Sequence, residues 1–267
     1  MTTPSPTRNP SSAHCAFVTG AAHGIGRATV LALLKEGWLV GAADVDTAGL
    51  ERLATEAQSP RCLTYKLDVA SISDWQAALQ SFHTVSQRLD LLINNAGILV
   101  SGDFESIDLA RQLRLVDINI KGVMTGCYAA FPYLRQTPGA TVINLSSASA
   151  TYGQPSLAAY STTKFAVRGL TEALNIEWQR HDIRVIDMMP LFVQTDMVVG
   201  MDARSIERLG VHVRPDDVAR HIVRAAKRAH SHYPVHWHVG PLAGPLFALS
   251  GMVPGRLQRW IAKKIAA

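Results

Sequence analysis

The chain contains six tyrosines, and only Tyr160 is followed four residues later by a lysine, Lys164. On a helix two such side chains share a face. Free tyrosine titrates near ~10, too high for ready proton exchange at neutral pH. A nearby ammonium favours the phenolate, so Lys164 is expected to lower that value and make Tyr160 an acid/base. Thirteen residues before Tyr160 stands Ser147, just after an apolar run, where a hydroxyl can orient a substrate oxygen. Ser146 and Ser149 compete for that role, and all three also suit turn capping. Asn119 falls inside a long helical pattern, a mildly unfavourable place for it, so a separate role for its amide is expected.

A second group of residues would bind an anion. After the apolar run 15–19 come Thr19-Gly20-Ala21-Ala22-His23-Gly24-Ile25-Gly26. Glycines let the backbone turn sharply and approach a pyrophosphate, whose charge is met by the following helix N-terminus. The spacing is not GxGxxG, and a strand-to-helix loop without a ligand reads the same way. Asp44 adds an independent signal: 18 residues after Gly26 it closes the next apolar run, about where a carboxylate meets an adenosine ribose. A helix cap is its alternative reading. Together the two signals point to a dinucleotide site. A carboxylate there accepts from ribose hydroxyls and repels a 2′-phosphate, which favours NAD over NADP, although Arg27 and His23 lie close enough to oppose that choice. Leu67-Asp68-Val69, suited to flank an adenine, and the small-residue turn Asn94-Asn95-Ala96-Gly97 add support, each otherwise ordinary turn chemistry.

Elements must bring these residues together. Apolar runs at 15–19, 38–43, 91–93, 141–145 and 184–189 alternate with helical patterns near 26–36, 47–57, 73–87, 105–135, 157–181 and 215–229. Such alternation predicts an α/β fold, a parallel sheet with helices on both faces, whose ligands bind beyond the carboxyl ends of the strands. The candidate residues sit just there. The composition is globular, with 48% hydrophobic and 18% charged residues in 267. A net charge of +5 is spread along the chain, which speaks against nucleic acid. Cys15, Cys62 and Cys127 are too few and too widely spaced for a disulfide framework and suit a reducing compartment. Residues 1–12 read as a disordered tail rather than a secretory signal. The apolar stretch 239–254 is broken by Gly and Pro and falls short of the roughly 20 residues of a membrane span. A soluble, cytoplasmic protein is expected.

From about Phe17 to Ala226 the chain resembles the short-chain dehydrogenases/reductases. The motifs that carry the resemblance are Thr19-Gly20-xxx-Gly24-x-Gly26, Asp68-Val69, Asn94-Asn95-Ala96-Gly97, Asn119, Ser146-Ser147 and Tyr160-xxx-Lys164, in matching order and intervals. The resemblance implies a single doubly wound, Rossmann-type domain with a seven-stranded parallel sheet. It also implies a metal-free, NAD-dependent oxidoreductase that interconverts a secondary alcohol and a ketone. In that reading Tyr160 exchanges the alcohol proton and Ser147 holds the substrate oxygen. Lys164 tunes Tyr160 and binds ribose, and Asn119 supports a water-mediated proton path. The cofactor would lie against Gly20, His23, Gly24, Ile25, Gly26, Asp44, Asp68, Val69, Asn95, Ala96, Gly97, Tyr160, Lys164, Pro190, Val193 and Thr195. The family usually has Pro-Gly where this chain has Pro190-Leu191, and leucine does not take positive φ as glycine does, so a differently shaped loop is expected. Leu191, Phe192 and Val193 would then add apolar wall. A homodimer or homotetramer is implied through the helix beginning near Tyr160 and its predecessor.

Residues 13–238 are read as the domain and 239–267 as an apolar, basic extension packed on it. His230, His232, His236 and His238 invite a metal, but no carboxylate or cysteine joins them in sequence, and a strand of mixed exposure is the preferred reading. The segment 256–265 is a basic amphipathic helix, expected to pack on protein rather than on a membrane surface. An apolar extension beside the site suggests a lipophilic, steroid-like substrate. The competing readings are an NADPH-dependent carbonyl reductase, which Asp44 opposes, and a non-catalytic NAD(H)-sensing protein, which Ser147, Tyr160 and Lys164 oppose.

Overall fold

Cys15–Thr19 is buried at all five positions, a pattern that suits a strand covered on both faces, and it forms β1 in the interior of a sheet. The computed structural model describes residues 13–195, 213–227 and 234–240, with Gly244, Phe247, Arg256, Arg259, Trp260 and Lys263. Six more strands join β1: β2 (Leu39–Asp44), β3 (Cys62–Lys66), β4 (Leu91–Asn94), β5 (Thr141–Leu145), β6 (Arg184–Pro190) and β7 (His236–Val239). All neighbours pair in parallel, in the order β3-β2-β1-β4-β5-β6-β7. The order reverses between β1 and β4, which opens the crevice where doubly wound sheets bind ligands.

The helices are α1 (Gly24–Lys35), α2 (Thr47–Ala57), α3 (Ile72–Ser86), α4 (Leu109–Val116), α5 (Gly122–Leu134), α6 (Ala158–Glu177) and α7 (Pro215–Ala226). They divide into two layers because strand side chains alternate in direction. Ala16 and Val18 of β1 meet Val30, Leu33, Val218 and Ile222 of α1 and α7 in one core. Cys15 and Phe17 meet Trp75, Leu79 and Phe82 of α3, with Val123 and Val167 of α5 and α6, in the other.

Three expectations change. Strand β3 was absent from the apolar runs; it lies at the sheet edge, where its positions are half-buried or exposed, so no apolar run marks it. The pattern 105–135 is not one helix. Phe104–Ser106 is a separate turn, and α4 starts at Leu109 because the Asp108 carboxylate accepts from the amides of Ala110 and Arg111. Between α4 and α5, Asp117–Lys121 winds as a π segment that carries the buried Asn119. The pattern 157–181 ends as α6 at Glu177 and tightens into a turn over Trp178–His181.

The tail 1–12, residues 196–212, His230 and His232 lie outside the described residues, as does most of the segment 256–265. Of that last segment Arg256, Arg259, Trp260 and Lys263 are exposed. In β7, Trp237 and Val239 are buried while His236 and His238 are half-buried on the other face. The fold brings His236 the carboxylates that its sequence neighbours lack: Nδ1 lies 3.0 Å from Asp187 and Nε2 3.0 Å from Glu172. The Phe247 ring packs 4.5 Å from His238 and under the Arg168 guanidinium, so at this point the extension touches the domain. Among the described residues no helix is long and apolar enough to cross a membrane.

Candidate active site

The carboxyl ends of β1, β2, β4, β5 and β6 border a cleft of about 460 Å³. At one end Gly20 turns the chain with φ of +65°, and a side chain on Gly26 would collide with the Gly20 carbonyl oxygen. The turn is clamped from the next loop. Asn95 Nδ2 donates to the carbonyls of Thr19 (2.9 Å) and Gly20 (3.1 Å), while Thr19 Oγ1 accepts from the amides of Asn95 and Ala96 (both 3.1 Å). Helix α1 then begins with no acidic residue in its first turn and no side-chain cap from His23. Its first amides are therefore left for an anion. Thr195 closes on the turn from across the cleft, its Cγ2 3.0 Å from where a Gly24 Cβ would stand.

Asp44 ends β2 on the cleft wall, fixed by the amides of Ala22 and Asp46, each 3.0 Å away. The two basic groups expected to oppose it are engaged elsewhere. His23 Nε2 lies 2.7 Å from Asp46, and Arg27 pairs with Glu56. The Gly49 amide and His23 hold the Asp46 carboxyl below the usual range. Asp68 lies between the buried Leu67 and Val69; one carboxylate oxygen accepts from the Ala70 amide and the other from Arg114 at 3.3 Å. The bare amides, the side-chain-free cradle and the carboxylate at the strand end fit an anionic dinucleotide.

At the other end, helix α6 presents Tyr160 and Lys164 to the same cleft. Of the three serines, Ser147 is the one whose side chain acts on the Tyr160 hydroxyl. Ser149 bonds to Ser147, and Ser146 donates to the Lys164 carbonyl at 3.3 Å. Lys164 is buried; its Nζ donates to the Leu145 carbonyl at 2.8 Å and lies 5.5 Å from the centre of the Tyr160 ring. The expected lowering of the tyrosine is not what dominates. Burial pushes the Tyr160 phenol up to about 12, against the opposing pull of Ser147. The ammonium is turned to a backbone carbonyl, and burial brings Lys164 down to about 8.

Asn119 and Gly26 stand behind the cleft wall rather than in it. The Asn119 amide accepts from the Ile98 N–H (2.9 Å), donates to the Ile98 carbonyl (2.9 Å) and donates to Thr163 Oγ1 (3.2 Å). Thr163 in turn donates to the Tyr160 carbonyl at 2.7 Å. Asn119 thus ties the loop after β4 to the helix turn that carries the tyrosine. Of the remaining candidates, Pro190, Val193 and Thr195 line the cleft with His23, Ile25, Asn95, Ala96 and Gly97.

Leu191 takes no positive φ; its amide donates to the Val239 carbonyl at 3.1 Å, prolonging the β6–β7 ladder, so glycine is not required there. With Phe192, Ile98 and Leu99 it forms an apolar wall. Ile98 and Leu99 were missed, although they directly follow the Asn94–Gly97 turn. Arg114 and Gln154 also line the cleft, and nothing in the spacing marked them.

Comparison with known proteins agrees with this geometry. Residues 14–205 match the family described as short chain dehydrogenase. Over 183 residues the chain is 36% identical to a 3-alpha-(or 20-beta)-hydroxysteroid dehydrogenase of Mycobacterium bovis, covering 68% of this chain and 70% of the relative. A 3-beta-hydroxysteroid dehydrogenase of Comamonas testosteroni is 36% identical over 185 residues, 68% of this chain and 72% of its own. Among solved structures, a 3-ketoacyl-(acyl-carrier-protein) reductase of Brucella melitensis complexed with NADH superposes with a TM-score of 0.77 at 27% identity, over 85% of this chain and 96% of that one.

Proposed function

The chain belongs to the short chain dehydrogenase family, and on that premise we propose that it is an NAD(H)-dependent oxidoreductase interconverting a lipophilic secondary alcohol and its ketone. The observation that carries this reading is the gathering of Ser147, Tyr160 and the buried Lys164 in one cleft that also reaches the glycine turn. A nicotinamide held between the glycine turn and Tyr160 would supply or accept the hydride. Tyr160 gives the proton to the carbonyl oxygen in reduction and takes it back in oxidation. Ser147 donates to the substrate oxygen and holds it in reach of the phenol. Lys164 places positive charge near the phenolate and offers donors to a ribose. Asn119 positions α6 against the loop after β4. The hydroxysteroid relatives and the apolar wall support a lipophilic substrate.

Asp44 carries the preference for NAD, because His23 and Arg27 are already paired with Asp46 and Glu56. A fluorescence titration with NADH and NADPH tests it. Tighter NADH binding is expected, and Asp44→Ser should weaken NADH about tenfold, roughly one charge-assisted hydrogen bond, while NADPH binding does not weaken. Tighter binding of NADPH by the unaltered protein would make it an NADPH-dependent reductase instead.

We further propose a homodimer or homotetramer. Leu109, Leu113, Met124, Tyr128, Phe165 and Ile176 are exposed on α4, α5 and α6, an unusual concentration of large apolar side chains for a surface. Light scattering should give at least twice the chain mass; a monomer at micromolar concentration would refute this. The buried, unpaired Cys15 and Cys127 support a cytoplasmic setting.

A further inference from the structure

Gln154 lies between Ser147 and Tyr160, in the loop that leads into α6. Its backbone is fixed at both ends of the peptide unit. The N–H donates to Ser161 Oγ at 3.1 Å, and the carbonyl accepts from the Leu157 amide at 3.1 Å. The residue lines the cleft together with Ser147 and Tyr160. Yet its side-chain carbonyl oxygen is closed off from water and has no hydrogen-bond partner among the described residues.

Buried amides are nearly always partnered, because an unmade bond forfeits the whole cost of stripping water from the group. The Ser161 hydroxyl oxygen beside it accepts from the backbone N–H, and in the same cleft Ser147 donates to Ser149. The same cleft is lined by the apolar Ile98, Leu99, Leu191 and Phe192. Gln154 is held by its backbone while its side chain keeps several rotatable bonds. Turning the amide to the cleft would replace an unpartnered oxygen by one bonded to a ligand.

We propose that Gln154 determines specificity by receiving a second hydroxyl of the substrate, so that preferred substrates are apolar skeletons carrying one hydroxyl besides the oxygen that is oxidised or reduced. A hydroxyl suits either end of the amide, donating to Oε1 or accepting from Nε2. Sites that hydrogen-bond a substrate hydroxyl reject the analogue lacking it far more strongly than apolar pockets reject a missing methylene. The inference rests on the proposed alcohol/ketone chemistry of the cleft.

The test compares polycyclic ketones of one skeleton, with and without a second hydroxyl placed at successive positions, by kcat/KM in the unaltered protein, Q154L and Q154E. The unaltered protein should favour at least one hydroxy-ketone by about tenfold or more. In Q154L that ratio should fall to within about twofold of one, and Q154E, which still accepts from a hydroxyl, should keep a preference. Without ligand, Q154L should melt no lower than the unaltered protein, since it removes a buried carbonyl oxygen that has no partner among the described residues. An equal ratio in the unaltered protein and Q154L overturns the proposal. So does a lower melting temperature in Q154L with parallel losses on both ketones, which would make Gln154 a packing residue. Failure of the underlying chemistry looks different: the unaltered protein would turn over none of the ketones with NADH or NADPH, and both readings would fall together.

Discussion

Replacing Tyr160 by phenylalanine should lower kcat for ketone reduction about 10³-fold, within the 10²–10⁴ that a positioned proton donor contributes, while NADH binding stays within about twofold. The change deletes one oxygen and leaves the ring on α6. The phenol is the acid because burial keeps its proton on: held near 12, it is neutral throughout the physiological range. Ser147 acts on the phenol from beside it, so a substrate oxygen would be shared between the two hydroxyls. The glycine turn, Asp44 and the bare start of α1 lie on other elements, so the nucleotide end of the cleft should not register the loss. Stopped-flow reduction under single-turnover conditions separates the chemical step from binding. Unchanged turnover in Tyr160→Phe would remove the tyrosine from the mechanism and leave the cleft a binding site. Loss of NADH binding in parallel would show instead that the oxygen supports the structure.

Why the tyrosine was legible and its ionisation was not follows from what spacing encodes. The four-residue interval of Tyr160 and Lys164 fixes a shared helix face, and the fully buried runs of β1, β5 and β6 announce interior strands. Those features are local. The direction of the tyrosine shift depends on how deeply α6 packs and on which acceptor takes the Lys164 protons, and Leu145 is nineteen residues away. The same distance effect hid the Asp187–His236 and Glu172–His236 pairs, made by residues from β6, α6 and β7. The extent of strand β3 was not legible, beyond its end at Leu67-Asp68-Val69, because an edge position does not demand apolar residues, and the break before α4 because Asp108 caps the helix inside an otherwise periodic pattern. Asn119 was noticed as an oddity in a helix, and that oddity is the π segment. Its amide bonds to Ile98 and Thr163 and does not line the cleft.

Lys164→Met should lower reduction at pH 7 about 10²-fold, the low end of what removing one preorganised charge or donor costs, and should also erase a pH step. Burial sets Lys164 near 8 and Tyr160 near 12, so the first proton that the pair loses on raising the pH leaves near 8. Below that value the ammonium is present and stabilises the phenolate formed as Tyr160 gives up its proton. Above it the charge is gone, so ketone reduction should fall with a midpoint near 8. Alcohol oxidation runs the same proton the other way and needs a pair that can accept it, so its rate should rise through the same midpoint. Methionine keeps most of the buried volume and carries no proton. With only the Tyr160 proton left to lose, both limbs should move toward 12 and the profiles between pH 7 and 9 should flatten. The packing of α6 can be followed independently by the melting temperature, which an uncharged side chain in a buried position should not lower. Profiles that keep a midpoint near 8 in Lys164→Met would assign the step to another group. The lysine would then be a ribose and backbone ligand, and the charge on which the phenolate depends would have to come from elsewhere in the cleft.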